Sequence, residues 1–539
     1  MKLNKRELKD YSLWQKANIK VPKFDVDEMA SKTNSKPTWV HFGAGNIFKG
    51  FIAVLQQKLL DKQKTDTGII AVETYDLEIV EKIYNKYDNL GMLVIMNADG
   101  SLEKKVVGSV AECLAGDVAK TDDWNRLKQI FEEPSLQIAS FTITEKGYAL
   151  TDMKGNYYPD VKIDIENGPQ KPRHLMSKIA SLAYVRYKKG ELPIAFVSMD
   201  NCSKNGEVLY NSVRTIVQQW VNKGSVDSKF LEYINNPSKV SFPWSMIDKI
   251  TPRPSEKVKD SLNSINFEST EIICTNKKTF IAPFVNTESS QYLVIEDNFP
   301  NGRMPLEEAG VLFADRNTVN LTEKMKVSTS LNPLHTALAI FGCLLGYKSI
   351  SDEMKDTHLL KLIEKIGYTE GLPVVANPGI LNPEDFIDEV INVRFPNPFI
   401  PDTPQRIATD TSQKIPIRFG ETIKTYSKSQ NLDVKSLVYI PLVIAGWCRY
   451  LMGTDDRGDD MELSPDPMMH ELKGYISKIE FGNKDSVGEN LKPFLSNEKF
   501  FGLDLYSIGL GEKIEGFVKE MISGKHAVRK VLQKYLGCD

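Results

Sequence analysis

The strand–turn–helix pattern that begins at Thr38 constrains this chain more than any other feature. Thr38-Trp39-Val40-His41-Phe42 reads as a strand and Gly43-Ala44-Gly45 as its turn. Ile47 to Leu60 reads as a helix, with Ile47, Phe51, Val54, Leu55 and Leu59 at helical spacing. Gly68 to Glu73 is the next strand, completing a βαβ unit whose crossover should be right-handed. Further strands are expected at Leu93 to Asn97, Ile138 to Thr144, Leu192 to Met199 and Ile272 to Thr275. Helices are expected at Asp122 to Phe131, Leu175 to Lys188 and Gly206 to Val221. This alternation predicts an α/β fold, a Rossmann-like, doubly wound, mostly parallel sheet over residues 1–305. Past residue 305 strand runs become rare. Leu334 to Leu345, Asp352 to Ile366 and Leu437 to Tyr450 predict a mainly α-helical second domain, 306–539, interrupted by the proline-rich turn Phe395 to Pro401. The cleft between the two is the expected meeting place of substrate and cofactor.

Composition narrows the function class. With 539 residues the chain is too long for one core, and 41% apolar with 26% charged residues is the range of a globular protein. The formal net charge is -3 and Lys and Arg are spread evenly, so no basic block supplies the field that nucleic acid or an anionic membrane requires. No apolar stretch is long enough to cross a bilayer, and Met1-Lys2-Leu3-Asn4-Lys5-Arg6 has no signal-like run, so a cytoplasmic protein is expected. The six cysteines (113, 202, 274, 343, 448, 538) and six histidines show neither CxxC nor HExxH spacing, and no metal is expected. A monomer or weak homo-oligomer is expected. The stretch Asn222 to Ser241 carries no motif.

A strand that ends in Gly-x-Gly and opens into a helix suits a dinucleotide. The first glycine makes the turn, the second admits the pyrophosphate, and the helix N-terminus offers unpaired N–H groups. Gly43 and Gly45 are in place, but Phe48 stands where the fingerprint has its third glycine, so an ordinary βα turn remains an alternative. Glu73 closes the second strand where an acidic residue holds the adenosine ribose and repels a 2′-phosphate, which favours NAD over NADP. Its alternative reading is a solvated carboxylate at a strand end.

Several ordered motifs carry a more specific signal. They are Phe42 to Phe51, Thr142-Ile143-Thr144-Glu145-Lys146-Gly147-Tyr148, Ser198-Met199-Asp200-Asn201, and Met246-Ile247-Asp248-Lys249-Ile250-Thr251-Pro252. In the second half come Lys324-Met325-Lys326-Val327-Ser328-Thr329-Ser330-Leu331-Asn332-Pro333-Leu334-His335, then Arg406-Ile407-Ala408-Thr409-Asp410 with Lys414. In these stretches the chain resembles the polyol-specific long-chain dehydrogenases, the mannitol dehydrogenase family. The resemblance implies an NAD-dependent, metal-independent oxidoreductase acting on a sugar acid or polyol. It implies Lys326 as general acid/base, with Asn332 and His335 orienting substrate and lysine. Asn201 and Asp248 would complete the inner wall, and Arg406 and Lys414 would hold the distal substrate end. The cofactor set would be Gly43, Ala44, Gly45, Asn46, Ile47, Phe48, Glu73 and Thr144.

These residue types suit the chemistry. Hydride transfer at a secondary alcohol needs a proton partner, and a lysine serves when burial or a nearby cation lowers its pKa from about 10.4 toward 7–8. Each residue also has a plainer reading: Lys326 as a surface lysine, Asn332 before Pro333 as a helix cap, His335 as a packing histidine, and Arg406 with Lys414 as a solvated patch. In the family pattern the asparagine stands five positions after the lysine, whereas Asn332 stands six after Lys326. In an unbroken helix six residues rotate by about 240°, onto a different face. A helix start or kink at Pro333 would resolve this, and Lys324 is the fallback acid/base. The Leu331 to Leu338 version of the motif most resembles that of members acting on fructuronate and mannonate. Tagaturonate/altronate and mannitol/fructose are the alternatives, as is a nucleotide-sensing relative without turnover.

Overall fold

A computed structural model describes residues 1–537, so Cys538 lies outside the described residues. The chain divides into two compact units, residues 1–97 with 101–320, and residues 321–539 with 98–100.

Unit 1 is built on a six-stranded sheet of β1 (Trp39–Phe42), β2 (Ile69–Glu73), β3 (Val110–Ala115), β4 (Ile138–Phe141), β5 (Ile194–Ser198) and β6 (Val240–Ser241). The strands run all parallel in the order β3-β2-β1-β4-β5-β6, the arrangement of a dinucleotide-binding doubly wound sheet. Every residue of β1, β2, β4 and β5 is buried, as a parallel sheet covered on both faces requires. Successive residues go to opposite cores. Val40, Phe42, Ile70 and Val72 join one cluster, with residues of the helices α2 (Leu175–Lys188) and α3 (Asn205–Asn222). Trp39, Ile69 and Ala71 join the other, with residues of helix α1 (Ala53–Asp61). The unassigned stretch 222–241 supplies a helix, Ser228–Asn235, and the edge strand β6.

Two expected strands stand outside this sheet. Gly91–Met96 pairs antiparallel with Leu102–Val107 and parallel with Phe284–Glu288 in a separate four-stranded sheet. The run expected at Ile272 to Thr275 is only Ile273–Cys274, one arm of a two-residue hairpin with Phe280–Ile281. Cys274 is exposed, so that run lacks the two-sided burial of a central strand. Leu312–Ala314 pairs with Tyr292–Glu296, which carries strand pairing past residue 305.

Unit 2 is helical. It contains part of α4 (Arg316–Met325), α5 (Asn332–Leu345) and α6 (Tyr439–Tyr450). The last two are nearly all buried and pack closely; a Cβ on Gly446 would stand 2.8 Å from the Phe341 ring. The helix expected over Asp352 to Ile366 breaks at Asp356, whose carboxylate caps the N–H groups of His358 and Leu359 and starts a new helix. Among the described residues no helix is long and apolar enough to cross a membrane.

Candidate active site

In unit 1 the glycine turn has the shape a pyrophosphate needs. Gly43 has φ +102°, and a Cβ there would lie 2.1 Å from the Thr142 carbonyl oxygen, so only glycine fits. A Cβ on Gly45 would meet nothing within 4 Å. The open space on that side of the backbone is where a phosphate could approach, which is the fit a dinucleotide requires. Phe48 is fully buried and stacks on His41, 4.7 Å between ring centroids at 17°. It seats the turn in the core. The close packing that the fingerprint assigns to its third glycine falls to Gly50, whose Cβ would press on Thr287 at 2.7 Å. The Asn46 side-chain oxygen is buried with no protein partner.

Glu73 does not stand free at the end of β2. Its carboxylate is buried and accepts hydrogen bonds from the backbone N–H groups of Ala44, Thr74, Tyr75 and Asp76. The expectation that it holds the ribose hydroxyls therefore meets a carboxylate already committed to clasping the turn. Burial pushes its pKa up, against the opposing pull of those four bonds. Tyr84 adds a second clasp, donating from its hydroxyl to the Ala44 carbonyl at 2.8 Å.

Thr144 sits just past β4 with φ 65° and ψ 159°, a region that glycine alone adopts easily. Asp200 holds it there. The Asp200 carboxylate accepts from the N–H groups of Ile143 at 2.9 Å and Thr144 at 3.0 Å, and from the Tyr148 hydroxyl at 2.6 Å. Asp200 lies inside a matching motif, but its task is visible only beside these partners, more than fifty residues away along the chain. Asn201 is exposed beside it, and Asp248 is buried at the end of the strand Ser245–Asp248.

In unit 2 Lys326 is buried, only 2% exposed, which removes the surface-lysine reading. It opens a π-helical turn, Lys326–Ser330, between α4 and α5, with Leu331 N–H donating to the Lys326 carbonyl. The wider turn absorbs the extra residue between Lys326 and Asn332. Ser328 and Thr329 satisfy the carbonyls loosened by that turn, donating to Lys324 at 2.6 Å and Met325 at 2.8 Å. Asn332 then begins α5, with Pro333 in its first turn.

His335, one turn along α5, tilts against Phe395 and lies 3.3 Å from the Asp402 carboxylate, within ion-pair reach though not aligned as a hydrogen bond. Burial lowers the His335 pKa, and the nearby charges of Arg418 and Arg406 lower it further against the pull of Asp402. The proline-rich stretch delivers Asp402, which also pairs with Arg406. Burial raises the Asp402 pKa, but His335 and Arg406 outweigh it and hold the carboxyl below its usual range. Lys414 donates to the carbonyls of Ile407, at 2.9 Å, and Thr409. Its pKa falls to about 8 through burial, then through Arg418. Unit 2 thus gathers His335, Arg406 and Lys414 into one electrostatic neighbourhood.

Two members of that neighbourhood escaped the sequence reading. Asp402 had no motif to mark it. Arg418 donates to the Thr336 hydroxyl at 2.6 Å and the Asn332 carbonyl at 3.4 Å. Its signal was its place four positions after Lys414, one helical turn along the same face. Among the described residues no group of three or more His, Cys, Asp or Glu has the geometry of a metal site.

Comparison with known proteins accounts for both units. Residues 37–308 match the mannitol dehydrogenase Rossmann domain and residues 319–521 the mannitol dehydrogenase C-terminal domain. The chain belongs to the mannitol dehydrogenase family of oxidoreductases. It is 55% identical to a D-mannonate oxidoreductase of Thermotoga maritima, over 100% of this chain and 99% of that one. Its fold resembles a substrate-free D-sorbitol dehydrogenase, with TM-score 0.77 and 25% identity, covering 94% of this chain and 98% of that one. It also resembles Pseudomonas fluorescens mannitol 2-dehydrogenase, solved with NAD and D-mannitol, with TM-score 0.70 and 23% identity over 100% of both.

Proposed function

We propose that this chain interconverts D-fructuronate and D-mannonate with NAD as hydride carrier. The observation that carries the substrate is the 55% identity, across the whole chain, to a protein named for D-mannonate oxidation. The glycine turn, Ile47 and the strained Thr144 loop are assigned to the dinucleotide, and the negative charge of Glu73 behind the turn favours NAD over its 2′-phosphorylated form.

When bound, the nicotinamide accepts or supplies the hydride. In the reductive direction Lys326 delivers the proton to the ketone oxygen as that oxygen becomes an alkoxide. In the oxidative direction Lys326 removes the hydroxyl proton. Burial supports this role, since it keeps bulk water away from the side chain and leaves Lys326 as the proton partner at the substrate oxygen. Asn332 and His335 are assigned to the developing alkoxide, with Phe395 packed against the His335 ring and Asp402 3.3 Å from its Nε2. Asn201 and Asp248 bind substrate hydroxyls, and Arg406 and Lys414 bind its distal end. The five described cysteines are all free, which suits the reducing cytoplasm, and a monomer or weak homo-oligomer is the expected working state.

A panel assay tests the reading. Fructuronate, tagaturonate, fructose and mannitol are offered with each nicotinamide cofactor, and the highest kcat/KM is expected for fructuronate with NADH. Preference for tagaturonate or fructose would replace the substrate, and preference for NADPH would replace the cofactor. NADH binding with no turnover of any of them would favour a nucleotide sensor. Lys326→Ala is expected to lower kcat by roughly 10²–10⁴ while NADH still quenches or enhances fluorescence with its wild-type affinity. Unchanged turnover would remove Lys326 from the chemistry.

A further inference from the structure

We propose that Arg418 is the residue that reads the substrate carboxylate, and so sets the preference for a sugar acid over a neutral ketose. The inference rests on the sugar-acid reading above. It starts from how this chain treats arginines that have only a structural task. Arg186 is fully buried, and its guanidinium makes five hydrogen bonds, all to backbone carbonyls of Phe131, Glu133, Leu136 and Pro193. Arg449, also fully buried, donates from both terminal nitrogens to the Thr454 carbonyl, the Thr454 hydroxyl and the Asp455 carbonyl, and leaves only Nε without a protein partner.

Arg418 is handled differently. It projects from the turn Pro416–Gly420, half-buried, and both of its protein bonds leave from the same nitrogen, Nη1. Among the described residues no carboxylate pairs with it, and Nε and Nη2 have no protein acceptor. Those two nitrogens form the edge that grips a carboxylate in two parallel bonds. The other two cations each already hold a protein partner, Arg406 the Asp402 carboxylate and Lys414 two backbone carbonyls, so at the distal end they add positive charge and leave the two-bond grip to Arg418.

Charge balance points the same way. Arg418 and Arg406 both act on Lys414 and His335 in the direction that disfavours further positive charge, while Asp402, Asp410 and Asp466 oppose them. Asp402 is shared between His335 and Arg406, and Asp466 is held by Ser412. A substrate carboxylate on the unbonded edge of Arg418 would join the anions that oppose these cations, whereas a neutral ketose would leave that edge without a charge-assisted bond. The Thr336 and Asn332 contacts fix Arg418 against the first turn of α5, which also carries Asn332 and His335. A guanidinium held by one nitrogen, with no protein acceptor on its opposite edge, is preorganised for an anion.

The test compares Arg418→Gln and Arg418→Lys with the wild type on fructuronate and fructose, with NADH titrated separately and thermal unfolding recorded. Arg418→Gln is expected to raise KM for fructuronate at least 100-fold and to cut the fructuronate-to-fructose ratio of kcat/KM by a similar factor, with NADH affinity held. Arg418→Lys, which keeps the charge but loses the two-bond grip, is expected to cut the ratio about tenfold. An equal loss on both sugars, or an unchanged ratio in both variants, would overturn the proposal. Should Arg418→Gln fail to fold, the Arg418→Lys ratio decides alone. The wild type reports separately on the substrate reading. If it prefers tagaturonate, that reading fails and the same ratio test is run with tagaturonate; if it prefers fructose, both fail.

Discussion

At the scale of single residues, Lys414 makes the clearest prediction. Its folded pKa of about 8, lowered from 10.5 chiefly by burial, means that the unfolded chain binds more protons between those two values. Folding stability from this group therefore rises with pH through that window. Substrate binding runs the other way, because the cation that would face an anionic sugar is lost above about pH 8. KM for the sugar acid is expected to rise with pH above 8, by up to about tenfold per unit, while KM for NADH stays level. Lys414→Arg, which stays charged throughout, should flatten that rise. A wild-type KM that is flat between pH 7 and 10 would separate Lys414 from substrate binding. Legibility at this scale was uneven. Gly43 and Gly45 announced their turn through spacing alone, whereas Asp200, Asp402 and Arg418 have meaning only beside partners distant in sequence.

Among the elements, the turn Lys326–Ser330 decides how the catalytic segment is presented. An offset of six from Lys326 to Asn332 could not keep the two together on a regular helix, and the expected resolution was a helix start or kink at Pro333. The start is there, but the π-helical turn does as much, by taking up one residue before α5 begins. Its cost is carbonyls without regular partners, which the Ser328 and Thr329 hydroxyls offset. Thr329→Val keeps the shape and deletes the bond to the Met325 carbonyl. It is expected to destabilise the protein by about 1–3 kcal/mol, read from urea unfolding, and to lower kcat more than it changes KM for NADH. A variant as stable and as active as the wild type would show that the turn does not depend on this bond. The π turn was not legible because hydrophobic periodicity does not separate it from an α-helical turn of similar composition.

For the molecule as a whole, ligand linkage checks the assignment of the dinucleotide to unit 1. A ligand that binds only the native state stabilises it by RT ln(1 + [L]/Kd), about 1.4 kcal/mol for each tenfold rise above Kd. The thermal midpoint should climb steadily with the logarithm of NADH concentration. In Gly43→Ala, where the new Cβ would lie 2.1 Å from the Thr142 carbonyl oxygen, the climb should vanish. A midpoint in Gly43→Ala that still rises as in the wild type would place NADH elsewhere.

The sequence by itself determined the layered α/β first half, the helical second half, the glycine turn and the family, because each is written in periodicity, turn chemistry or ordered motifs. These are local signals, and neighbouring residues are enough to express them. The tertiary structure alone decided that Glu73 clasps the turn, that Asp200 holds Thr144 in a strained conformation, and that Arg418 joins the cations of unit 2. Hydrogen bonds and charges act over a few ångströms of space, whatever the distance along the chain. The burial of Lys326, which takes it out of the class of surface lysines, is likewise set by packing and not by neighbours in sequence.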